Sequence, residues 1–217
     1  MSGGPKWLKP VQAPNHIVNV VCDGDSFTLG TSGGASSTQT YPYYLGQQAG
    51  SQYGGSGASI ANLGVGGNTI QNMISRGAAT DAYYSTGYRQ NILLWLAGYN
   101  NYGDISLLAQ TLSYSRQYIA ARVAAGWTVG WFTLTDFTIR TEPAFDTARR
   151  AHNTIMRAQY ANYGAAGILD VGADAAMGAT GAGSPLFLPV TGHPTAAGNQ
   201  VLANYAQAFL QRMAVYL

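Results

Sequence analysis

The sequence predicts an α/β fold built on a parallel sheet covered on both faces. Three observations carry this expectation. Short apolar, β-branched runs alternate with longer helix-like stretches along the chain, the pattern of strands buried between helical layers. The first such run, Ile17-Val18-Asn19-Val20-Val21-Cys22, leads straight into Gly24-Asp25-Ser26, the sort of turn that leaves a strand at a sheet's C-terminal edge. The chain then closes on Val201, Leu202, Tyr205, Phe209 and Met213, one apolar stripe at helical spacing.

Each element has its own warrant. Residues 1–15 hold three prolines and read as an extended arm ahead of one domain spanning 16–217. A strand is expected from Ile17 to Asp23. Thr31 to Thr38 is a Gly- and Ser-rich loop. A short helix starts near Pro42, because proline suits a first helical position. Ser59 to Leu63 is a second strand, and Thr69 to Ser75 opens a helix. Asn91 to Leu96 is a third strand. Ser106 to Ala125 is the clearest long helix, with Leu108, Leu112, Ile119 and Val123 on one face and Gly126 as its stop. Trp127 to Leu134 is a fourth strand, Asp146 to Tyr163 a helix ended by Gly164, and Gly167 to Val171 a fifth strand. Thr195 can cap the last helix.

Composition narrows the function classes. Of 217 residues, 47% are hydrophobic, enough for a sizeable core in one domain, but only 9% are charged, against an ordinary value of about 25%. The surface must be covered by neutral polar residues. A net charge of +2 offers no basic field for nucleic acid. No apolar stretch approaches the roughly 20 residues of a membrane span. Met1 to Pro10 lacks the apolar core of a signal peptide. A soluble chain is expected; its location stays open, with extracellular and virion-associated settings both compatible. Cys22 is the single cysteine, so no disulfide forms within the chain, and its place in the first strand suits a small buried hydrophobe. Fifteen tyrosines and four tryptophans fill core edges or stack on sugar rings. No metal site and no cofactor are expected, since the histidines are scattered and Gly64-Val65-Gly66 lacks the rest of a dinucleotide fingerprint.

The chemistry centres on Ser26. A Gly-Asp-Ser turn alone is as good a turn as a nucleophile site. A serine hydroxyl becomes nucleophilic only when a base takes its proton. The chain offers His16, His152 and His193. His16 ends the Pro-rich region, and His152 falls in a helix among Arg149, Arg150 and Arg157, where a solvated or packed position is expected. His193 stands between Thr191-Gly192 and Pro194, on a loop ahead of the last helix. Acyl transfer also needs donors aimed at the developing oxyanion. The Ser26 N–H, the Gly67 N–H and the Asn100 side-chain amide all suit that task. Asp25 reads as structural, fixing the turn by accepting backbone N–H groups.

Four blocks in order resemble the SGNH/GDSL hydrolase family: Gly24-Asp25-Ser26-Phe27-Thr28-Leu29-Gly30; Asn62-Leu63-Gly64-Val65-Gly66-Gly67-Asn68-Thr69; Gly98-Tyr99-Asn100-Asn101; and His193-Pro194, followed by Gly198. The resemblance implies a three-layer α/β/α sandwich on a five-stranded parallel sheet, of SGNH/flavodoxin-like type. It also implies Ser26 as nucleophile, His193 as base, and Ser26, Gly67 and Asn100 as the oxyanion hole. Two positions depart from the family pattern: Asn101 replaces the aspartate that usually ends the third block, and Val190 the aspartate usual three residues before the histidine. His193 must then be oriented otherwise, by a backbone carbonyl in a Ser-His dyad, by Asp174 or by Glu142. An apolar residue in place of the acid is expected to be packed into the core. The function expected is a serine esterase working through an acyl-enzyme on short acyl groups, acetate foremost, carried by a carbohydrate, the partner being a small-molecule or polysaccharide ester. The alternatives are acyl transfer at the same site and a non-catalytic carbohydrate-binding or structural module of a surface or virion assembly.

Overall fold

The computed structural model describes residues 18–32, 34–49, 59–137, 143–178 and 184–214. The arm at 1–15, His16 and Glu142 lie outside them. Five strands, β1 (Val18–Gly24), β2 (Ser59–Asn62), β3 (Gln90–Leu96), β4 (Thr128–Phe132) and β5 (Gly167–Leu169), form one parallel sheet in the order β2-β1-β3-β4-β5. The α-helices among the described residues are α1 (Ser26–Leu29), α2 (Tyr41–Ala49), α3 (Ile70–Ser75), α4 (Gly77–Asp81), α5 (Leu108–Ala124), α6 (Pro143–Gln159) and α7 (Ala196–Ala214). None of these helices is long and apolar enough to cross a membrane.

Strand periodicity builds the three layers. Alternate residues of a strand point to opposite faces. Val18, Val20 and Cys22 of β1 therefore join Ile92, Leu94 and Leu96 of β3 in one core, which Tyr41 and Leu45 of α2 and Leu202, Ala206 and Phe209 of α7 cover. Val21, Leu93, Trp95, Val129 and Trp131 face the other way, against Ile70 and Met73 of α3, Leu112 and Ile119 of α5 and Met156 of α6. Both faces are dry, so the strands read as near-continuous apolar runs. Register is continuous from Val18↔Gln90 to Gly24↔Leu96. The chain leaves β1 toward β2 on one side and returns as β3 on the other. That reversal marks the crevice where open α/β sheets bind ligands, and Ser26 stands at its mouth.

The helices follow their local signals with some shifts. Thr69 and Asn72 close a reciprocal cap on α3, with Thr69 N–H donating to Asn72 Oδ1 at 2.9 Å. Thr195 Oγ1 accepts the Gly198 N–H at 3.3 Å at the head of α7, the cap expected there. Val123 is 41% exposed, so it does not belong to the buried face of α5. Tyr118 and Arg122 take that side, carried round by a stripe of residues 111, 112, 115, 118, 119 and 122. β4 stops at Phe132 and β5 at Leu169, short of the expected Leu134 and Val171. α6 begins three residues before Asp146 and ends at Gln159, the last turn tightening into a 3₁₀ helix over Tyr160–Tyr163. α1 and α4 are only four and five residues long, too short for periodicity to reveal.

A buried carboxylate joins the layers at the end of β1. Asp23 is fully buried. Its Oδ1 accepts the Gly24 N–H at 2.8 Å and pairs with the Arg76 guanidinium; its Oδ2 accepts the Thr80 hydroxyl at 3.0 Å and the Tyr118 hydroxyl. Arg76 also donates to the Gly24 carbonyl. One side chain thus ties α4, α5 and the α3–α4 junction to the strand that carries Ser26. Removing one partner of such a buried pair strands the other and costs about 3–5 kcal/mol. Asp23→Ala is expected to lose about that much stability in urea unfolding, and Tyr118→Phe much less; equal losses would show that the charge is not what matters.

Candidate active site

Ser26 heads α1, one residue after its N-cap. Asp25 is that cap, its Oδ1 accepting the Phe27 N–H at 3.0 Å, so its expected structural role is the one seen. Gly24 and Gly64 give the turn its room: a Cβ on Gly64 would run into the backbone of Thr28 and Leu29. The second loop can therefore lie directly on α1. At Gly67 the backbone takes φ 76°, a left-handed conformation that glycine adopts without strain.

The structure brings the expected nucleophile and base together. Ser26 Oγ lies 2.8 Å from His193 Nε2. Both side chains are partly buried at the C-terminal edge of the sheet. His193 arrives on a loop closed by an antiparallel bridge between Phe187 and Pro194 and by Leu188 N–H donating to the His193 carbonyl at 2.9 Å. Burial pushes its imidazole below the ordinary histidine range, partly opposed by the Thr191 contact. A neutral ring is the form that can accept a proton.

The expected donors flank this pair in sequence and in fold. Neither the Ser26 nor the Gly67 N–H has an acceptor among the described residues. The Asn100 amide donates one hydrogen to the Asn68 carbonyl at 2.9 Å, which fastens the third loop to the second and leaves a second hydrogen on the same nitrogen. Asn101 does something different. Its Oδ1 accepts the Ile70 N–H at 2.9 Å and its Nδ2 donates to Gln71 Oε1 at 2.7 Å, so it holds the head of α3.

Of the expected orienters that can be located, a backbone group acts on His193: the Thr191 backbone raises the imidazole pKa. Its Nδ1 is buried and makes no hydrogen bond of full geometry among the described residues, and no carboxylate among them bonds it. Asp174 closes its own turn, Oδ1 accepting the N–H groups of Ala176 and Met177 at 2.8 and 3.1 Å, and it takes the Tyr205 hydroxyl at 3.3 Å. Glu142 falls outside the described residues. An unpaired buried donor costs about 1–3 kcal/mol. What surrounds the imidazole is aromatic: Phe27 at 5.3 Å and Phe137 at 5.6 Å between ring centroids. Phe137 carries no motif, and nothing in the sequence marks it.

One further expectation needs correction. Val190 is 87% exposed; it stands in solvent on the loop and the core has not repacked around it. His152 takes the packed one of its two expected positions: it is fully buried, its Nδ1 lies 2.6 Å from the Tyr102 hydroxyl, and burial drives its pKa down to about 3. It lies under the sheet's edge in contact with Trp131 and serves packing.

The sequence profile of the GDSL-like Lipase/Acylhydrolase family matches residues 22–201. The chain belongs to that family. Among solved structures it resembles a member of the lipolytic protein G-D-S-L family from Veillonella parvula, at TM-score 0.69 and 18% identity over 90% of this chain and 99% of that one. It also resembles an acetylxylan esterase from Geobacillus stearothermophilus (TM-score 0.60, 15% identity, 89% and 94% covered). A third likeness is to an alpha/beta hydrolase enzyme from the metagenome of Lake Arreo, Spain (TM-score 0.66, 17% identity, 88% and 93% covered). No curated protein sequence matches it. At these identities the structural likeness speaks for the fold: the five-stranded parallel α/β architecture is that of GDSL hydrolases.

Two consequences can be measured. An exposed position tolerates a charge, so Val190→Asp should leave unfolding stability within about 0.5 kcal/mol of wild type; a larger loss would mean the side chain is packed. The second concerns Asp25. It is fully buried, and burial lifts its pKa from 3.8 to about 7, against the pull of backbone N–H groups led by Phe27. The folded state therefore holds this proton where the unfolded chain has lost it, and the contribution to stability falls as pH rises from about 4 to 7. Asp25→Asn keeps the Oδ1 acceptor and removes the titration. Its melting midpoint should gain on wild type steadily across that window, whereas a pH-independent offset would rule the titration out.

Proposed function

We propose that this family member is a serine ester hydrolase in which Ser26 and His193 do the chemistry. The observation that carries the proposal is the 2.8 Å contact between Ser26 Oγ and His193 Nε2, at the ligand crevice of the sheet. As Ser26 Oγ attacks an ester carbonyl, its proton passes to Nε2. The carbonyl oxygen becomes an oxyanion, and the N–H groups of Ser26 and Gly67 with the Asn100 amide are the donors suited to hold it. His193 then returns the proton to the departing alcohol. Water, deprotonated by the same imidazole, releases the acid from the acyl-enzyme.

Short acyl groups on a carbohydrate are the substrate class this reading favours. A surface with 9% charged residues suits a neutral polysaccharide, and an acetylxylan esterase is among the structures of like fold. The intact Ser26–His193 contact weighs against the non-catalytic module.

Ser26→Ala should abolish hydrolysis of p-nitrophenyl acetate without unfolding the chain, and a fluorophosphonate should label wild type at Ser26. Removing one oxyanion donor costs about 10²–10³ in turnover, and Asn100→Ala should fall in that range with KM little changed. Asn101→Ala should lose less activity, because its bonds hold α3. Labelling elsewhere would remove Ser26 from the chemistry, and equal losses at 100 and 101 would remove Asn100 from the oxyanion hole.

A further inference from the structure

A histidine that takes a proton at Nε2 must carry its own hydrogen on Nδ1 and must not rotate. A carboxylate at Nδ1 ordinarily secures both. Here no carboxylate among the described residues bonds Nδ1, and the Thr191 backbone acts on the ring without a hydrogen bond of full geometry; the acid expected three residues earlier is the exposed Val190. The ring is nevertheless flanked on two sides. Phe27 meets it at 5.3 Å with a 40° tilt and Phe137 at 5.6 Å nearly edge-on, at 71°. These two rings brace each other at 5.4 Å and 83°. Tyr99 stacks on the far side of the arrangement, parallel to Phe27 at 3.9 Å and 8°, and edge-on to Phe137 at 5.8 Å.

The cluster is anchored to the backbone at each member. The Tyr99 hydroxyl accepts the Thr135 N–H at 2.8 Å and bonds the Thr135 hydroxyl at 2.8 Å. The Phe27 N–H is held by Asp25 and the Phe137 N–H by Asp136 at 2.8 Å. The carboxylates nearest in sequence to the cradle thus position its rings, and Asp174 is engaged in its own turn.

We propose that Phe137, with Phe27 and Tyr99 behind it, is the positioning element for His193, an aromatic cradle that sets the imidazole by shape in place of a carboxylate. Two rings at different inclinations restrict the plane of the histidine ring, and the Ser26 contact sets which edge of it faces the nucleophile. They also shield part of the imidazole from water, the ring being half-buried. The cradle supplies no charge, so it holds the neutral ring in line with Ser26 without stabilising the imidazolium. The inference rests on the esterase reading for its kinetic arm and stands apart from it for its spectroscopic arm.

Phe27 is buried beside the nucleophile, so the test is made at Phe137, which is 8% exposed. The full-length chain is compared with Phe137→Leu, Phe137→Tyr and Asp174→Asn by p-nitrophenyl acetate kinetics from pH 4 to 9. Displacing a reacting group by about 1 Å can cost roughly 10²-fold. Phe137→Leu should lower kcat about 10- to 100-fold with KM little changed. Its acid limb should move to higher pH, because water entering the cradle returns the imidazole toward its ordinary range. Phe137→Tyr restores the ring and should restore kcat; Asp174→Asn should match wild type. In parallel, the His193 ring is titrated by NMR in wild type and Phe137→Leu, with the melting midpoint recorded. An upward shift in the leucine variant is expected whether or not the protein hydrolyses esters. A folded Phe137→Leu with wild-type kcat and titration overturns the cradle. A loss at Asp174→Asn as large as at Phe137→Leu overturns it too. Absence of Ser26-dependent hydrolysis in wild type would instead strike the esterase reading and leave the NMR comparison to decide the cradle.

Discussion

The site depends on a carboxylate that does no chemistry. Asp23 sits at the end of β1, sealed from solvent, and gathers Arg76, Thr80, Tyr118 and the Gly24 N–H around its two oxygens. Each partner comes from a different part of the α3–α5 layer or from the turn itself. A charge in a dry interior is tolerable only when its lone pairs are filled, so the packing of three helices becomes a condition for the strand to end where it does. Two residues later the chain presents Ser26. The direction in which that hydroxyl leaves the sheet is inherited from a hydrogen-bond network on the opposite layer from His193.

The same economy runs through the chain. The sequence has few charged residues, and several of them pair with one another within the chain. Asp81 pairs with Arg122 and receives the Trp127 indole, Asp146 holds Arg149 and Arg150, and Asp170 holds Arg157. Arg149 is buried and reaches the Leu134 and Gly178 carbonyls. These contacts link the end of β4 to the stretch before the His193 loop. Charge here fastens one element to another, from the buried Arg149 to the exposed Arg150.

Much of the fold was legible in the sequence because a buried parallel sheet writes itself in apolar runs of strand length, and all five strands lie where such runs stand. Boundaries were less legible. Val123 keeps helical spacing with Leu112 and Ile119, yet Tyr118 and the stem of Arg122 cover the sheet in its place, since long amphipathic side chains can bury apolar area too. Ser26, His193 and Asn100 were legible through their local blocks. The Asp23 network was not: its partners lie 53 and 95 residues away, and no spacing rule joins an aspartate to a tyrosine across a layer. The surroundings of His193 were hidden for a related reason. The expectation sought one polar group at Nδ1. The structure answers with ring faces whose residues, taken singly, look like ordinary core. Val190 misled because an apolar residue on a loop need not be inside.

Ser26 and His193 are 167 residues apart in sequence. Their contact exists only while the loop before α7 stays seated against the turn that ends β1, which makes it a very long-range closure in the chain's topology. Local opening of a loop can need far less free energy than global unfolding. A fluctuation that lifts the loop before α7 would part the two residues and leave the sheet's strand ladder and the buried face of α7 intact. In the proposed mechanism, competence therefore depends on the seating of that loop. On heating or in dilute denaturant, such a molecule would fall silent while its secondary structure still looked native.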